Sequence, residues 1–205
     1  MKIKICGLRS LTDIQIVNKY LPDYAGFVFA PSKRQVNQIQ ARELISVLSS
    51  EIIPVGVFVN LALPELQEIV TVSQIKVIQL HGDETPAYLR KLKKSLPQLE
   101  VWRAIRATSA QQILDALSSS ADKILVDSFV PGEYGGAGKL ANWEALADIK
   151  ASKPLILAGG LSPENISAAC KLNNIWGVDV SSGVETNLVK DSNKIEKFIE
   201  LARGR

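Results

Sequence analysis

Short runs rich in Val, Ile and Leu alternate with amphipathic stretches along the whole chain, and the alternation repeats eight times. The runs are Lys2–Cys6, Ala25–Phe29, Pro54–Val59, Lys76–Leu80, Val101–Ile105, Lys123–Asp127, Pro154–Ala158 and Gly177–Ser181. Each spans about five residues and is apolar enough for a parallel strand buried on both faces. Between them come helical patterns. Ser10 precedes Leu11, Ile14, Val17 and Leu21, which recur at helical spacing. Ser162-Pro163-Glu164 offers an N-cap, a proline for the first helical position and an acidic first turn. Glu65–Val72, Pro86–Leu96, Ala110–Leu117, Trp143–Ile149 and Lys194–Leu201 carry further helices. Eight βα units of roughly 26 residues each predict a (β/α)8 TIM barrel occupying residues 1–205 as a single domain. An open doubly wound sheet fits less well. It would leave units over, and no Gly-x-Gly-x-x-Gly follows the first run.

Composition narrows the function. Hydrophobic residues make up 46% and charged residues 22%, and 24 basic against 21 acidic side chains leave a net charge of +3 without a basic block. That argues against nucleic acid as a partner, while leaving cations for an anionic metabolite. No stretch approaches the roughly 18 apolar residues of a membrane span, and no secretory h-region opens the chain. Cys6 and Cys170 are too few for a disulfide framework and read as reduced thiols of a cytoplasmic protein. With His81 the sole histidine, no metal site of several His or Cys ligands is expected.

In barrels of this kind the chemistry sits at the carboxyl ends of the strands. Polar residues gather at those ends here: Cys6 at the end of run one, His81 after run four, Asp127 at the end of run six, Asp179 late in run eight. Strand alternation sends Ile3 and Ile5 toward the helices and Lys4 and Cys6 into the barrel. It likewise sends Ile124 and Val126 outward and Leu125 and Asp127 inward. Lys4 beside Cys6 is expected to lower the thiol pKa. The alternatives are a small buried hydrophobe for Cys6, a loop-capping carboxylate for Asp127 and a backbone-satisfying role for His81. Asp127 is followed by Ser128–Lys139, the longest irregular segment, with four glycines. Ala158-Gly-Gly-Leu161 and Ser181-Ser-Gly-Val184 follow the last two strands, where many barrels bind phosphate through backbone amides.

With these residues in place, the chain resembles the phosphoribosylanthranilate isomerase family, barrel enzymes of tryptophan biosynthesis. The likeness runs over essentially all 205 residues. It rests on Lys4-Ile-Cys-Gly7, Gly26-Phe-Val-Phe29 with Ser32-Lys-Arg34, Val55-Gly-Val-Phe-Val59 and Gln79-Leu-His-Gly82. It continues through Leu125-Val-Asp127, Tyr134-Gly-Gly-Ala-Gly-Lys139, Ala158-Gly-Gly-Leu161 with Pro163-Glu-Asn165, and Val178-Asp-Val-Ser-Ser-Gly-Val-Glu185. The resemblance implies an Amadori rearrangement of N-(5-phosphoribosyl)anthranilate to 1-(2-carboxyphenylamino)-1-deoxyribulose 5-phosphate, with no cofactor. It implies Cys6 as general base and Asp127 as general acid, the latter needing a raised pKa. It also implies Arg34 on the anthranilate carboxylate, Asp179 and His81 against substrate, and Gly160, Ser182 and Gly183 around the phosphate. Lys139-Leu-Ala-Asn142 departs from the family, which commonly carries Thr and Asp there.

Other sugar-phosphate barrels fit less well. A ribulose-phosphate epimerase type needs metal-binding histidines, and an indole-forming synthase relies on lysines where this chain has Cys6 and Asp127. The alternative from another class is a barrel that binds an anionic sugar phosphate without turning it over. Either a monomer or a homodimer is compatible with the sequence.

Overall fold

The computed structural model describes residues 1–107, 109–127, 146 and 149–204. Eight parallel strands close into a barrel in chain order: β1 Lys2–Cys6, β2 Tyr24–Val28, β3 Ile53–Phe58, β4 Val77–Leu80, β5 Glu100–Arg106, β6 Lys123–Asp127, β7 Leu155–Ala158 and β8 Ile175–Val180. β1 pairs with both β2 and β8, which closes the ring. The helices are α1 Leu11–Tyr20, α2 Gln38–Ser46, α3 Leu63–Ser73, α4 Pro86–Ser95, α5 Ala110–Leu117, α6 Ile166–Ala169 and α7 Ser192–Arg203. The expected helix Trp143–Ile149 and the glycine-rich segment Ser128–Lys139, with its continuation to Asn142, lie outside the described residues except for Leu146 and Ile149.

Strand alternation divides the apolar residues into two cores. Ile3, Ile5, Ile124 and Val126 belong to the large cluster between strands and helices, whereas Leu125 joins an inner cluster with Tyr24, Val55, Val77, Trp102, Ala104, Ile156 and Ala158. The inner cluster is a packed plug, as side-chain layers inside such barrels are. Tyr24 meets Trp102 edge-on at 4.9 Å between ring centroids, and Trp102 meets Trp176 at 6.4 Å. Trp176 reaches the plug through a register shift between β7 and β8, where Leu155 pairs with Ile175 but Ile156 pairs with Gly177. A bulge of that kind re-aims a side chain. Lys123 covers the Trp176 ring at 4.6 Å and pairs with Glu100.

Two local expectations change. Helix α2 escapes the apolar pattern because only Ala41 and Leu44 are buried in it, while Ile39 stays exposed. Its start is marked instead by Asn37, whose side chain accepts from the Gln40 amide at 2.8 Å. α6 begins at Ile166, not at Pro163. Ser162 heads a turn: its carbonyl accepts from the Asn165 and Ile166 amides at 3.2 and 3.0 Å. A two-stranded hairpin, β9 Glu185–Thr186 and β10 Val189–Lys190, stands between β8 and α7.

If the inner plug holds the barrel shut, Trp102→Ala costs about 3–5 kcal/mol. Leu114→Ala, on an exposed position of α5, stays within about 0.5 kcal/mol. Urea unfolding followed by circular dichroism distinguishes the two.

Candidate active site

The carboxyl end of the barrel begins with a charge that cannot reach water. Lys4 is 1% exposed, and its Nζ donates to both carboxylate oxygens of Asp179 at 2.9 Å each. The two residues are register partners on adjacent strands, β1 and β8, so the pairing follows directly from ring closure. Lys4 also interacts with the Cys6 thiol, two residues on along the same face. Burial alone penalises the ammonium, yet Asp179 and Cys6 outweigh it and the Lys4 pKa lies above its ordinary value. A buried ion is tolerable on these terms, with its partner in contact and its donors used.

Cys6 is the last residue of β1 and is buried. Burial pushes its thiol pKa up, and the downward pull of Lys4 does not offset this. The expectation of a lowered pKa is therefore corrected: the neighbouring ammonium is present, but desolvation of the thiolate wins. Room for the thiol comes from β2. A Cβ at Gly26 would lie 2.8 Å from Cys6 Sγ and 3.1 Å from Lys4 Cε. The chain then turns at Gly7, with φ +81°, and a Cβ there would stand 2.4 Å from Arg34 Cδ. The aliphatic stem of Arg34 thus crosses the backbone beside Cys6. Its guanidinium meets Glu185, Nε to Oε1 at 2.7 Å and Nη2 to Oε2 at 2.6 Å.

Across the mouth, with β7 and β8 between it and β1, Asp127 ends β6. His81 follows β4, and its Nε2 lies 3.5 Å from Asp127 Oδ2. Its Nδ1 is 3.2 Å from Gln79 Nε2, a buried amide on β4. With the amide nitrogen donating, Nδ1 accepts and the ring proton sits on Nε2, toward the carboxylate. The imidazole therefore lies against the Asp127 carboxylate.

The two glycine turns after β7 and β8 come together. A Cβ at Gly183 would be 1.8 Å from the Leu161 carbonyl oxygen, so the turns touch backbone to backbone. Gly159 and Gly160 both take positive φ, +85° and +64°. Beyond its own chain neighbours, no atom of the described residues lies within 4 Å of where a Gly160 side chain would begin. Asn165 secures the turn from behind, donating through Nδ2 to the Gly160 carbonyl at 2.9 Å. Among the described residues, no group of three or more His, Cys, Asp and Glu is placed to hold a metal ion.

Cys6 and Lys4 on β1, Asp179 on β8 and Arg34 in the loop after β2 thus form one group, and His81, just after β4, and Asp127, at the end of β6, form a second. Three participants, Glu185, Lys190 and Gln79, carry no role in the sequence reading. Glu185 sits in a matched motif, but its partner Lys190 comes from a hairpin with no Asn-Gly or Asp-Gly to announce it. The hairpin turn runs instead through Asn187 and Leu188, both at positive φ. Gln79 was hidden as one polar residue inside an apolar run.

The profile of the N-(5'-phosphoribosyl)anthranilate (PRA) isomerases matches residues 3–201. The chain belongs to this family. Family members at 44% identity include the N-(5'-phosphoribosyl)anthranilate isomerases of Acetivibrio thermocellus, over 98% of this chain and 95% of the relative, and Thermoanaerobacter sp., over 100% and 98%. The crystal structure of phosphoribosyl anthranilate isomerase from Thermotoga maritima superposes with a TM-score of 0.91 at 34% identity, covering all of both chains. Another solved family member, 31% identical with a TM-score of 0.85 and full coverage of both chains, is in complex with reduced 1-(o-carboxyphenylamino)-1-deoxyribulose 5-phosphate.

The state of Cys6 in the ligand-free isomerase is open to direct titration. In a Cys170→Ala background, thiolate ultraviolet absorbance is expected to rise with an inflection above 9.0, the ordinary thiol value. An inflection near neutrality would contradict the dominance of burial.

Proposed function

We propose that Cys6 and Asp127 carry out the family's Amadori rearrangement of N-(5-phosphoribosyl)anthranilate to 1-(2-carboxyphenylamino)-1-deoxyribulose 5-phosphate, a step of tryptophan biosynthesis. The observation that carries this reading is the placement of a buried thiol beside Lys4, opposite a carboxylate beside His81, at one mouth with a two-glycine-turn cradle. Asp127 gives a proton to the ribose ring oxygen. The C1–O bond breaks with its electrons on oxygen, and the anilino nitrogen lone pair forms the C1=N iminium. The Cys6 thiolate then takes the C2 proton; the C–H electrons become the C1=C2 bond and the C=N electrons return to nitrogen. The enolamine tautomerises, its C2 hydroxyl becoming a ketone while C1 gains hydrogen. C2 is oxidised and C1 reduced within one molecule, so no electron carrier enters.

Each remaining residue has a role suited to its chemistry. Arg34 presents a planar guanidinium to the anthranilate carboxylate. Asp179 accepts from Lys4 through both oxygens, and each oxygen keeps a lone pair for a sugar hydroxyl. His81, with its Nε2 proton turned toward Asp127, sits at the protonated ring oxygen. Gly160, Ser182 and Gly183 surround the phosphate. The enzyme works in the cytoplasm as a single catalytic domain, monomer or homodimer; one solved relative is described as dimeric, with monomers generated from it. No helix among the described residues is long and apolar enough to cross a membrane.

The base must be a thiolate, and burial holds Cys6 protonated. The thiolate population therefore grows as pH rises toward the thiol pKa, but the reaction also needs a proton on the general acid, so kcat/KM is expected to be bell-shaped in pH, with a rising limb and not a steady climb. Turnover is followed as loss of substrate fluorescence. Cys6→Ser and Asp127→Asn each lower kcat by about 10²–10⁴-fold, and Cys6→Ser also removes that rising limb. A wild type that leaves the substrate unchanged would sink the isomerase reading. Full activity in both variants would sink the residue roles.

A further inference from the structure

Arg34 does not stand alone at the mouth; it is one corner of a buried ionic triad. Glu185 accepts from Arg34 through both oxygens, and its Oε1 also accepts from Lys190 Nζ at 2.7 Å. The Glu185 and Lys190 side chains are only 5% and 1% exposed, while Arg34 is 25% exposed. Lys190 donates in addition to the Ser181 carbonyl at 3.0 Å, and Ser181 Oγ donates to the Cys6 carbonyl at 3.1 Å. The hairpin that supplies Glu185 and Lys190 is tied to the Arg34 loop from outside as well. Arg9 donates to the Lys33 carbonyl and to the Leu188 carbonyl, both at 2.7 Å.

The pattern of donors used on Arg34 is informative. Glu185 occupies the Nε–Nη2 edge, and the Nη1 atom makes no hydrogen bond with any described residue. A guanidinium offers two bidentate edges, so a carboxylate on one leaves the Nη1–Nη2 edge for another. Two anions on one cation would repel, but Lys190 offsets the Glu185 charge. Burial disfavours the Glu185 carboxylate, yet Arg34 and Lys190 together hold its pKa below the usual range, so it stays ionised at neutral pH.

We propose that Glu185 and Lys190 are positioning residues that fix the Arg34 guanidinium with its Nη1–Nη2 edge turned to the aryl carboxylate of the substrate. This rests on the proposed function above and adds the device that selects an ortho-carboxylated ring. Without Glu185, the long Arg34 side chain regains rotamers and must be ordered again by each incoming ligand. Without Lys190, Glu185 keeps Arg34 but loses its own anchor. The pair touches no reacting atom, so loss of Glu185 weakens binding and leaves the chemical step, whereas loss of Lys190 also removes a charge that favours the Cys6 thiolate.

The test compares wild type, Glu185→Gln, Lys190→Met and Arg34→Met. Steady-state turnover of N-(5-phosphoribosyl)anthranilate is read with calorimetric binding of two probes: the reduced carboxyphenylamino-deoxyribulose phosphate and its counterpart lacking the ring carboxylate. Glu185→Gln is expected to raise KM, and Kd for the carboxylated probe, about tenfold with kcat within about twofold. Lys190→Met moves both constants in the same direction by a smaller factor, and supplies the answer if Glu185→Gln does not fold. The decarboxylated probe binds all four proteins alike within about twofold, and in a fifth, the Glu185→Gln/Arg34→Met double variant, Glu185→Gln adds nothing to the loss caused by Arg34→Met. Equal losses on both probes would show a merely structural triad and overturn the proposal. So would tighter binding of the carboxylated probe by Glu185→Gln, which would make Glu185 a competitor for Arg34. A wild type without turnover would overturn the reaction assigned above, while the two probes still decide the part played by Glu185.

Discussion

The buried pair of Lys4 and Asp179 is the constraint around which the catalytic end of this barrel is arranged. An ammonium inside a barrel must have a carboxylate in contact, and the partner arrives only when β8 closes against β1. The same contact therefore reports ring closure and supplies charge beside Cys6. It also explains why Cys6 is not an ordinary activated thiol. Lys4 is already engaged by two carboxylate oxygens, and its remaining influence on Sγ is outweighed by burial. The site thus holds a protonated thiol at rest and a thiolate only as a minor form. In the proposed mechanism that suits a base that acts after the substrate has acquired positive charge at C1.

Glycines do the spatial work around this pair. Gly26 lets Cys6 and Lys4 lie against β2, Gly7 lets the Arg34 stem cross, and Gly183 lets the last two turns meet. Each is a place where a methyl group would collide, so the mouth is shaped by absent side chains as much as by present ones. A ligand with phosphate at one end and carboxylate at the other then meets two fixed anchors. Under the proposed function its reacting carbons would fall between Cys6 and Asp127.

The barrel was legible in the sequence because its signal is periodic. Eight apolar runs with alternating faces placed every strand within a residue or two, and inward assignment of Lys4, Cys6, Leu125 and Asp127 followed from alternation alone. Helix α2 was missed because its buried face is only Ala41 and Leu44 wide. The start of α6 was misplaced because Ser162 and Pro163 form a turn that resembles a helix start. The β9–β10 hairpin left no trace because Asn187 and Leu188 take left-handed φ without a glycine. Direction of the Cys6 shift was also beyond sequence: a lysine two residues away announces proximity, while burial, the larger effect, exists only in the folded barrel.

Coupling between Lys4 and Asp179 tests this account most directly. Urea unfolding of Lys4→Met, Asp179→Leu and the double variant gives the double-mutant cycle. Each single change leaves one buried charge without its partner and is expected to cost about 3–5 kcal/mol. The double variant removes both charges and is expected to recover most of that loss. Losses that simply add, or singles that barely differ from wild type, would contradict the claim that this pair holds the catalytic end of the barrel together.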